Sequence, residues 1–194
     1  GNMYLGPFFY YLIAPSLLIA NFSPVGPAVF IALLNIFTVY LIYFIGNRWF
    51  DKKTALISSF LFAISPVVIK YSNFIWNPNI MPLFSLLFVY FFFESFRTKK
   101  YHYFIYASLS FVMVMNSHYL GLALLPIPGV YWLIELIKFI KTKSKQLKNY
   151  LNYTIFAFFV YFASLIPQIL FDIKHKGQNI KALLTFFTQR ENNT

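Results

Sequence analysis

The sequence predicts an all-α protein: a polytopic bundle of about six transmembrane helices with a short interfacial helix at its N-terminal end. Three observations carry that expectation. Residues of the hydrophobic class make up 59% of the 194 and charged residues 11%, against about 25% charged in an ordinary soluble domain. Apolar runs of membrane length recur along the whole chain. The basic residues between those runs fall in alternate connections, as membrane topology requires.

The first element is Pro7 to Phe22, about sixteen residues with Pro15 inside it and Asn21 near its end. It is short against the roughly 20 apolar residues that cross a bilayer. Phe9, Tyr10 and Tyr11 in succession suit the headgroup level, so an interfacial or re-entrant helix is expected ahead of a true span. Spans are then expected at Ala28 to Ile45, Thr54 to Ile69, Ile80 to Phe96, Phe104 to Ser117, Leu120 to Ile140 and Tyr150 to Phe171. Arg48, Lys52 and Lys53 follow the first span, and Arg97, Lys99 and Lys100 the third. Lys138, Lys141, Lys143, Lys145 and Lys148 surround the end of the fifth. These connections share one side, which the positive-inside rule makes cytoplasmic. The opposite connections carry only Lys70, beside Tyr71 to Asn79, and nothing basic near His118.

That parity puts the tail from Asp172 outside, with Ile180 to Phe187 as an amphipathic turn on the surface. The expected organisation is a single transmembrane domain over residues 1–194. Residues 1–23 form a juxtamembrane helix, 24–171 the six spans, and 172–194 the start of an outer loop. The chain opens at Gly1 without an initiator Met and closes on the polar run Gln189 to Thr194. It therefore reads as an internal piece of a longer protein, and no signal peptide is visible.

Charge and composition exclude several classes. The formal charge of +11 would suggest nucleic acid in a soluble protein, but here the cations sit in short loops between apolar runs. No nucleic-acid partner is expected. With no cysteine in the chain, disulfides and thiolate metal sites are ruled out. The three histidines lie far apart without ligand spacing, so no metal is predicted. Aromatic residues at 23% follow a general bias toward Phe, Tyr, Ile, Lys and Asn and do not by themselves indicate a carbohydrate site.

Polar residues inside apolar spans carry more information. Glu94 precedes Arg97 by three residues, as Glu135 precedes Lys138, which puts each pair on one helix face as an interfacial ion pair. Asn35, in mid-span, is expected to hydrogen-bond a neighbouring helix. Pro66, Pro126, Pro128 and Pro167 are expected to interrupt or kink their helices. At the outer ends of separate spans lie Lys70, Tyr71, Trp76, Asn77 and Asn79, then Asn116, His118 and Tyr119, then Asp172, Lys174 and His175. In one bundle these ends ring a common opening, with cations for a lipid phosphate, aromatics for sugar stacking and amides for hydroxyls. An aromatic belt with polar loops gives the same residues a purely structural reading.

Four segments in order resemble the GT-C membrane glycosyltransferases, specifically the dolichyl-phosphate-mannose protein mannosyltransferase superfamily. They are Gly-Pro-Phe-Phe-Tyr-Tyr-Leu-Ile-Ala-Pro at 6–15, Tyr-Ser-Asn-Phe-Ile-Trp-Asn-Pro-Asn at 71–79, Asn-Ser-His-Tyr at 116–119, and Ile-Pro-Gln-Ile-Leu-Phe-Asp-Ile-Lys-His at 166–175. The resemblance implies an enzyme of a plasma (inner) membrane that transfers a sugar from a polyprenyl-phosphate carrier. The acceptor would be a glycan, lipid or protein on the extracytoplasmic side. No cofactor is implied beyond that lipid donor. Residues 1–23 would be the last juxtamembrane helix of a large outer loop, and the six spans the second to seventh of the family fold. Tyr10, Tyr11, Lys70, Trp76, Asn77, Asn79, His118, Tyr119, Lys174 and His175 are the candidate substrate-binding residues.

Two departures follow from the same resemblance. The family's principal catalytic carboxylate lies before the position of Gly1, so the catalytic residue is unassigned and this piece is expected to be inactive alone. Many relatives carry Asp-Pro in the loop after their third span, where this chain has Asn77-Pro78, and an amide cannot act as a base. Asp172 is the only acid on the outer face near a match, a candidate for binding or structure first and catalysis second. Two rivals share the topology: a lipid-linked-sugar transporter or flippase, disfavoured by the nearly apolar mid-span positions, and a non-catalytic assembly subunit.

Overall fold

The computed structural model describes residues 5–188, and all regular structure in that range is helical. Residues 1–4 of the expected juxtamembrane segment and the polar end Gln189 to Thr194 lie outside it. The first helix, α1 (Phe8–Ile19), has 12 residues and a length of about 18 Å, too short to cross a hydrocarbon core of about 30 Å. Phe9 and Ile13, one turn apart, are its buried face and pack with Ile31 and Ile80. Helix α2 (Val25–Trp49) follows with 25 residues, long enough to cross. Asp51 caps α3 (Lys52–Ala63): its Oδ1 accepts from the Thr54 N–H at 2.8 Å and its Oδ2 from the Thr54 hydroxyl at 2.8 Å. Those bonds hold the Asp51 carboxyl below its ordinary range. Helices α2 and α3 meet backbone to backbone, since a Cβ on Gly46 would stand 2.9 Å from the Ala55 Cα.

The segment expected as one span at Thr54 to Ile69 is two helices. Helix α3 ends at Ala63 and α4 (Pro66–Tyr71) begins at the proline, with Ser65 extended at φ −60° and ψ 122°. Proline supplies no N–H and disfavours the helical region for its predecessor, so the break falls before it. The Ser72 carbonyl just after α4 is picked up by Asn35, whose Nδ2 donates to it at 3.3 Å and to the Ile31 carbonyl at 3.0 Å. The neighbour expected for Asn35 is thus the end of a broken helix. Asn35→Leu should leave that carbonyl unpaired at a cost of about 1–2 kcal/mol. A melting curve in detergent checks it, and an unchanged midpoint would show the contact to be idle.

The remaining helices are α5 (Met81–Thr98), α6 (Tyr103–Ser117), α7 (Pro126–Lys141), α8 (Leu147–Ser164), α9 (Ile166–Lys174) and α10 (Gln178–Thr188). Short 3-10 turns at Asn77–Ile80 and Tyr119–Leu124 lead into α5 and α7. Pro66, Pro82, Pro126 and Pro167 each stand in a first helical turn, where the missing N–H costs nothing. Pro66 interrupts its span, whereas the chain stays helical across Pro82, Pro126 and Pro167, and Pro128 lies in the first turn of α7. Among the described residues, four helical stretches are long and apolar enough to cross a membrane: Val25–Trp49, Asn77–Thr98, Tyr119–Lys141 and Leu147–Lys174. Of the other two expected spans, Thr54 to Ile69 is the broken α3–α4 pair and Phe104 to Ser117 lies in the 15-residue α6. Helix α10 covers the stretch expected to be amphipathic.

Helix α6 is the centre of the bundle, packed against α5 and α8, with Phe104, Phe111, Val114 and Met115 buried beside Phe88, Phe92 and Tyr150. Lipid supplies no hydrophobic drive between helices, so close packing and interhelical hydrogen bonds hold them. Ser108 donates to the Ala157 carbonyl at 2.7 Å, Tyr150 to the Trp132 carbonyl at 2.9 Å, and Trp132 Nε1 to Thr154 Oγ1 at 3.1 Å. The outward faces of α7 and α8, including Ile134, Ile137, Phe158 and Phe159, stay exposed as a lipid-facing surface should.

The basic connections meet at one end. Glu94, wholly buried, accepts from Arg97 Nε and Nη2 at 2.8 Å each, from Arg48 Nη2 at 2.5 Å and from Trp49 Nε1 at 3.4 Å. The expected Glu94–Arg97 pair is therefore a four-residue node that also ties α2 to α5. Glu135 and Lys138 approach to 3.4 Å on α7.

Candidate functional site

The other end of the bundle carries the candidate site, and α1 shapes it. Gly6, just ahead of α1, lies directly on the Asn116 side chain: a Cβ there would be 1.5 Å from Asn116 Oδ1 and 2.7 Å from Gln168 Nε2. Only glycine permits that approach. From there α1 runs to the start of α2, where Gly26 lies against the Ser16 carbonyl at a would-be Cβ distance of 2.2 Å. Helix α1 therefore bridges α2 to α6 and α9 across this end.

Asn116, 1% exposed, donates through Nδ2 to the Val112 carbonyl at 2.8 Å. Its Oδ1 is a buried acceptor with no hydrogen-bond partner, a costly arrangement. The flipped amide would set Oδ1 against the Val112 carbonyl, which favours the assignment with Nδ2 on that carbonyl. Next to it His118 leaves the helix in extended conformation, and its Nδ1 accepts from the Leu120 N–H at 3.1 Å. That contact assigns the acceptor role to Nδ1 and leaves the Nε2–H of the neutral ring as a donor. Tyr119 interacts electrostatically with Asp172. Asp172 is 7% exposed, and its Oδ1 accepts from the Asn179 N–H at 2.6 Å.

The loop 71–79 is a second group. Trp76, half exposed, packs with Tyr71 and Phe74 at ring separations of 6.2 and 6.3 Å, and Lys70 Nζ lies 5.4 Å from the Tyr71 ring centre. Such contacts between a cation and an aromatic face are favourable. Asn79 closes the loop, its Nδ2 donating to the Tyr71 carbonyl at 2.9 Å and to the Phe74 carbonyl at 2.6 Å, so its amide nitrogen is committed to the fold. Asn77 opens the 3-10 turn, whose Ile80 is buried between α1 and α2.

Tyr10 and Tyr11 stand 59% and 64% exposed on α1, with their hydroxyls outside the packed face. Lys174 is exposed at the end of α9. His175 stacks on Phe171 with ring centres 4.0 Å apart and its Nδ1 lies 2.7 Å from the Phe171 carbonyl. Its ring is held by its own helix.

The structure thus joins His118, Tyr119 and Asp172 at the α6–α9 corner and Lys70, Trp76 and Asn79 in the aromatic loop. The turn Asn77–Ile80 packs against both α2 and α6, which places the loop beside that corner. Sequence reasoning missed Gly6 and Gln168 as side-by-side partners of Asn116. Their only signal was position within the segments at 6–15 and 166–175, and nothing in local pattern tells that residues 110 apart, Gly6 and Asn116, touch.

Chemically, this end offers an imidazole N–H, phenols, a primary ammonium and an indole face: donors for an anion and surfaces for a sugar ring. The family described as dolichyl-phosphate-mannose-protein mannosyltransferase matches residues 5–167. No curated protein and no solved structure matches the chain.

Proposed function

Because the chain belongs to the dolichyl-phosphate-mannose-protein mannosyltransferase family, we propose that it transfers a sugar from a polyprenyl-phosphate carrier to an acceptor on the extracytoplasmic side of the membrane. It is an integral membrane protein of glycosyltransferase type. The observation that carries the finer reading is the extent of the match, which runs from the approach to α1 through Pro167 and so includes α1, the aromatic loop, His118 and Tyr119.

In this reading the acceptor hydroxyl oxygen attacks the anomeric carbon as the bond from that carbon to the phosphate oxygen breaks. The carrier leaves as polyprenyl phosphate, and the hydroxyl proton passes to a carboxylate base. Cations offset the charge that develops on the leaving phosphate, a role for Lys70 and Lys174. Trp76 and the exposed rings of Tyr10 and Tyr11 offer faces for the sugar. Asn77 orients a hydroxyl, and Asn79 keeps the loop in shape through its two carbonyl contacts. The His118 Nε2–H is a donor to the substrate. Asp172, which receives the Asn179 N–H, positions the α9–α10 turn and Tyr119. The basic end faces the cytoplasm of a plasma membrane, and the acceptor is a glycan, a lipid or a protein.

His118→Ala in the full-length protein should lower transfer about tenfold or more without altering membrane insertion. Release of labelled sugar from a polyprenyl-phosphate donor in proteoliposomes measures it, and wild-type transfer would remove His118 from the site. The same assay separates a flippase, which moves the donor intact. Asn77 favours one further reading, an assembly subunit, because an amide cannot accept the hydroxyl proton. Transfer that appears only with a co-purifying partner would select it.

A further inference from the structure

At the opposite, basic end, the C-terminal turns of α5 and α7 and the loops 99–102 and 142–146 enclose a cavity of about 350 Å³. We propose that this cavity binds the phosphodiester headgroup of an anionic phospholipid from the adjoining leaflet. It is separate from the transfer site and does not depend on that chemistry.

The rim is built rather than incidental. Tyr101, 2% exposed, donates from its hydroxyl to Gln146 Oε1 at 3.0 Å and so fastens one loop to the other across the cavity floor. Phe96, Tyr131 and Phe139 complete an aromatic wall. The polar groups above it are mainly donors, with the Glu135 carboxylate among them. Lys99 lines the cavity and makes no ion pair among the described residues. Lys138 reaches Glu135 only at 3.4 Å, longer than the 2.7–2.9 Å of a strong charge-assisted bond, so its ammonium can shift to a better anion. Ser144 Oγ accepts from the Gln146 N–H at 3.2 Å, which leaves its own proton to donate. Glu135 offsets one of the two lysines, and the net charge of the rim stays positive.

Two features select a lipid over a free anion. Lys100, Lys141, Lys143 and Lys145 flank the cavity in sequence, the polybasic pattern that draws anionic headgroups to a membrane surface. Beside it α7 presents Ile134, Ile137 and Ile140, each half exposed or more, a surface along which acyl chains can lie while the phosphate is held above.

The test uses the full-length protein purified in detergent and titrated with phosphatidylglycerol, phosphatidylcholine or inorganic phosphate, read by melting midpoint and by lipid retained in native mass spectrometry. Phosphatidylglycerol should raise the midpoint and stay bound, and the other two should do neither. The double variant Lys99→Gln/Lys138→Gln should weaken phosphatidylglycerol binding about tenfold or more. Lys52→Gln/Lys53→Gln, which removes the same charge from the same end outside the cavity, should bind as wild type. Equal protection by inorganic phosphate or phosphatidylcholine overturns the proposal, as does equal loss in the two double variants. The three-ligand comparison needs no variant, so a misfolded mutant cannot rescue the idea.

Discussion

Glu94→Ala should destabilise the bundle by about 3 kcal/mol, more than removal of either arginine that it holds. Glu94 is wholly buried, while Arg48 and Arg97 keep 39% and 46% of their side-chain surface exposed. Losing the carboxylate strands two guanidinium groups and breaks the tie between α2 and α5. The partly exposed arginines can then turn toward headgroups, which keeps the cost at the low end of the usual range for a broken buried pair. Loss of an arginine leaves Glu94 with the other. Arg97 meets it with two nitrogens and Arg48 with one, so Arg97→Ala should melt lower than Arg48→Ala. Glu94→Gln, which keeps volume and one acceptor, should fall between wild type and Glu94→Ala. Melting of the four variants in one detergent gives the order. Equal small shifts for all would show an ordinary surface ion pair and sink the account.

Gly6→Ala is expected to unseat α1. The added methyl would lie 1.5 Å from Asn116 Oδ1 and 2.5 Å from its Cγ, far inside contact distance, and Asn116 is too buried to step aside. A steric conflict of this kind costs about 2–3 kcal/mol, and transfer should fall with it because α1 closes the site end. The diagnostic is a compensating change. Asn116→Ala removes both the obstructing oxygen and an acceptor that has no partner, so Gly6→Ala/Asn116→Ala should melt above Gly6→Ala alone. Absence of that recovery in a double-mutant cycle would mean that the two residues do not meet.

These two predictions differ in how much of each was legible in the sequence. The spacing of Glu94 and Arg97 announced a pair on one face of one helix, because residues three apart share a face whatever surrounds them. It could not announce Arg48 and Trp49, which reach Glu94 from another helix. Gly6 and Asn116 stood in separate motifs, and no local pattern joins them. Pro66 foretold an interruption, yet only the fold showed that the freed Ser72 carbonyl goes to Asn35. The candidate residues divide in the same way. Asn79, Asp172 and His175 have the right chemistry for a sugar or a phosphate, but their hydrogen bonds to Tyr71, Phe74, Asn179 and Phe171 engage them within the fold. His118, Trp76 and the two tyrosines of α1 keep donors or faces available.

Composition and periodicity by themselves determined the helical class, the order of the apolar segments, and the gathering of the basic connections at one end. Each of these follows from local rules: the cost of an unpaired backbone group in lipid allows only helices for such apolar runs, and alternate loops of a helical bundle must return to the same end. Tertiary structure alone decided how the ends are tied: the four-residue node at Glu94, the seat of Gly6 on Asn116, and the cavity between the loops at 99–102 and 142–146. Lipid gives helices no hydrophobic reason to associate, so their arrangement rests on close fits and single hydrogen bonds between residues far apart in the chain, and such fits have no period to read.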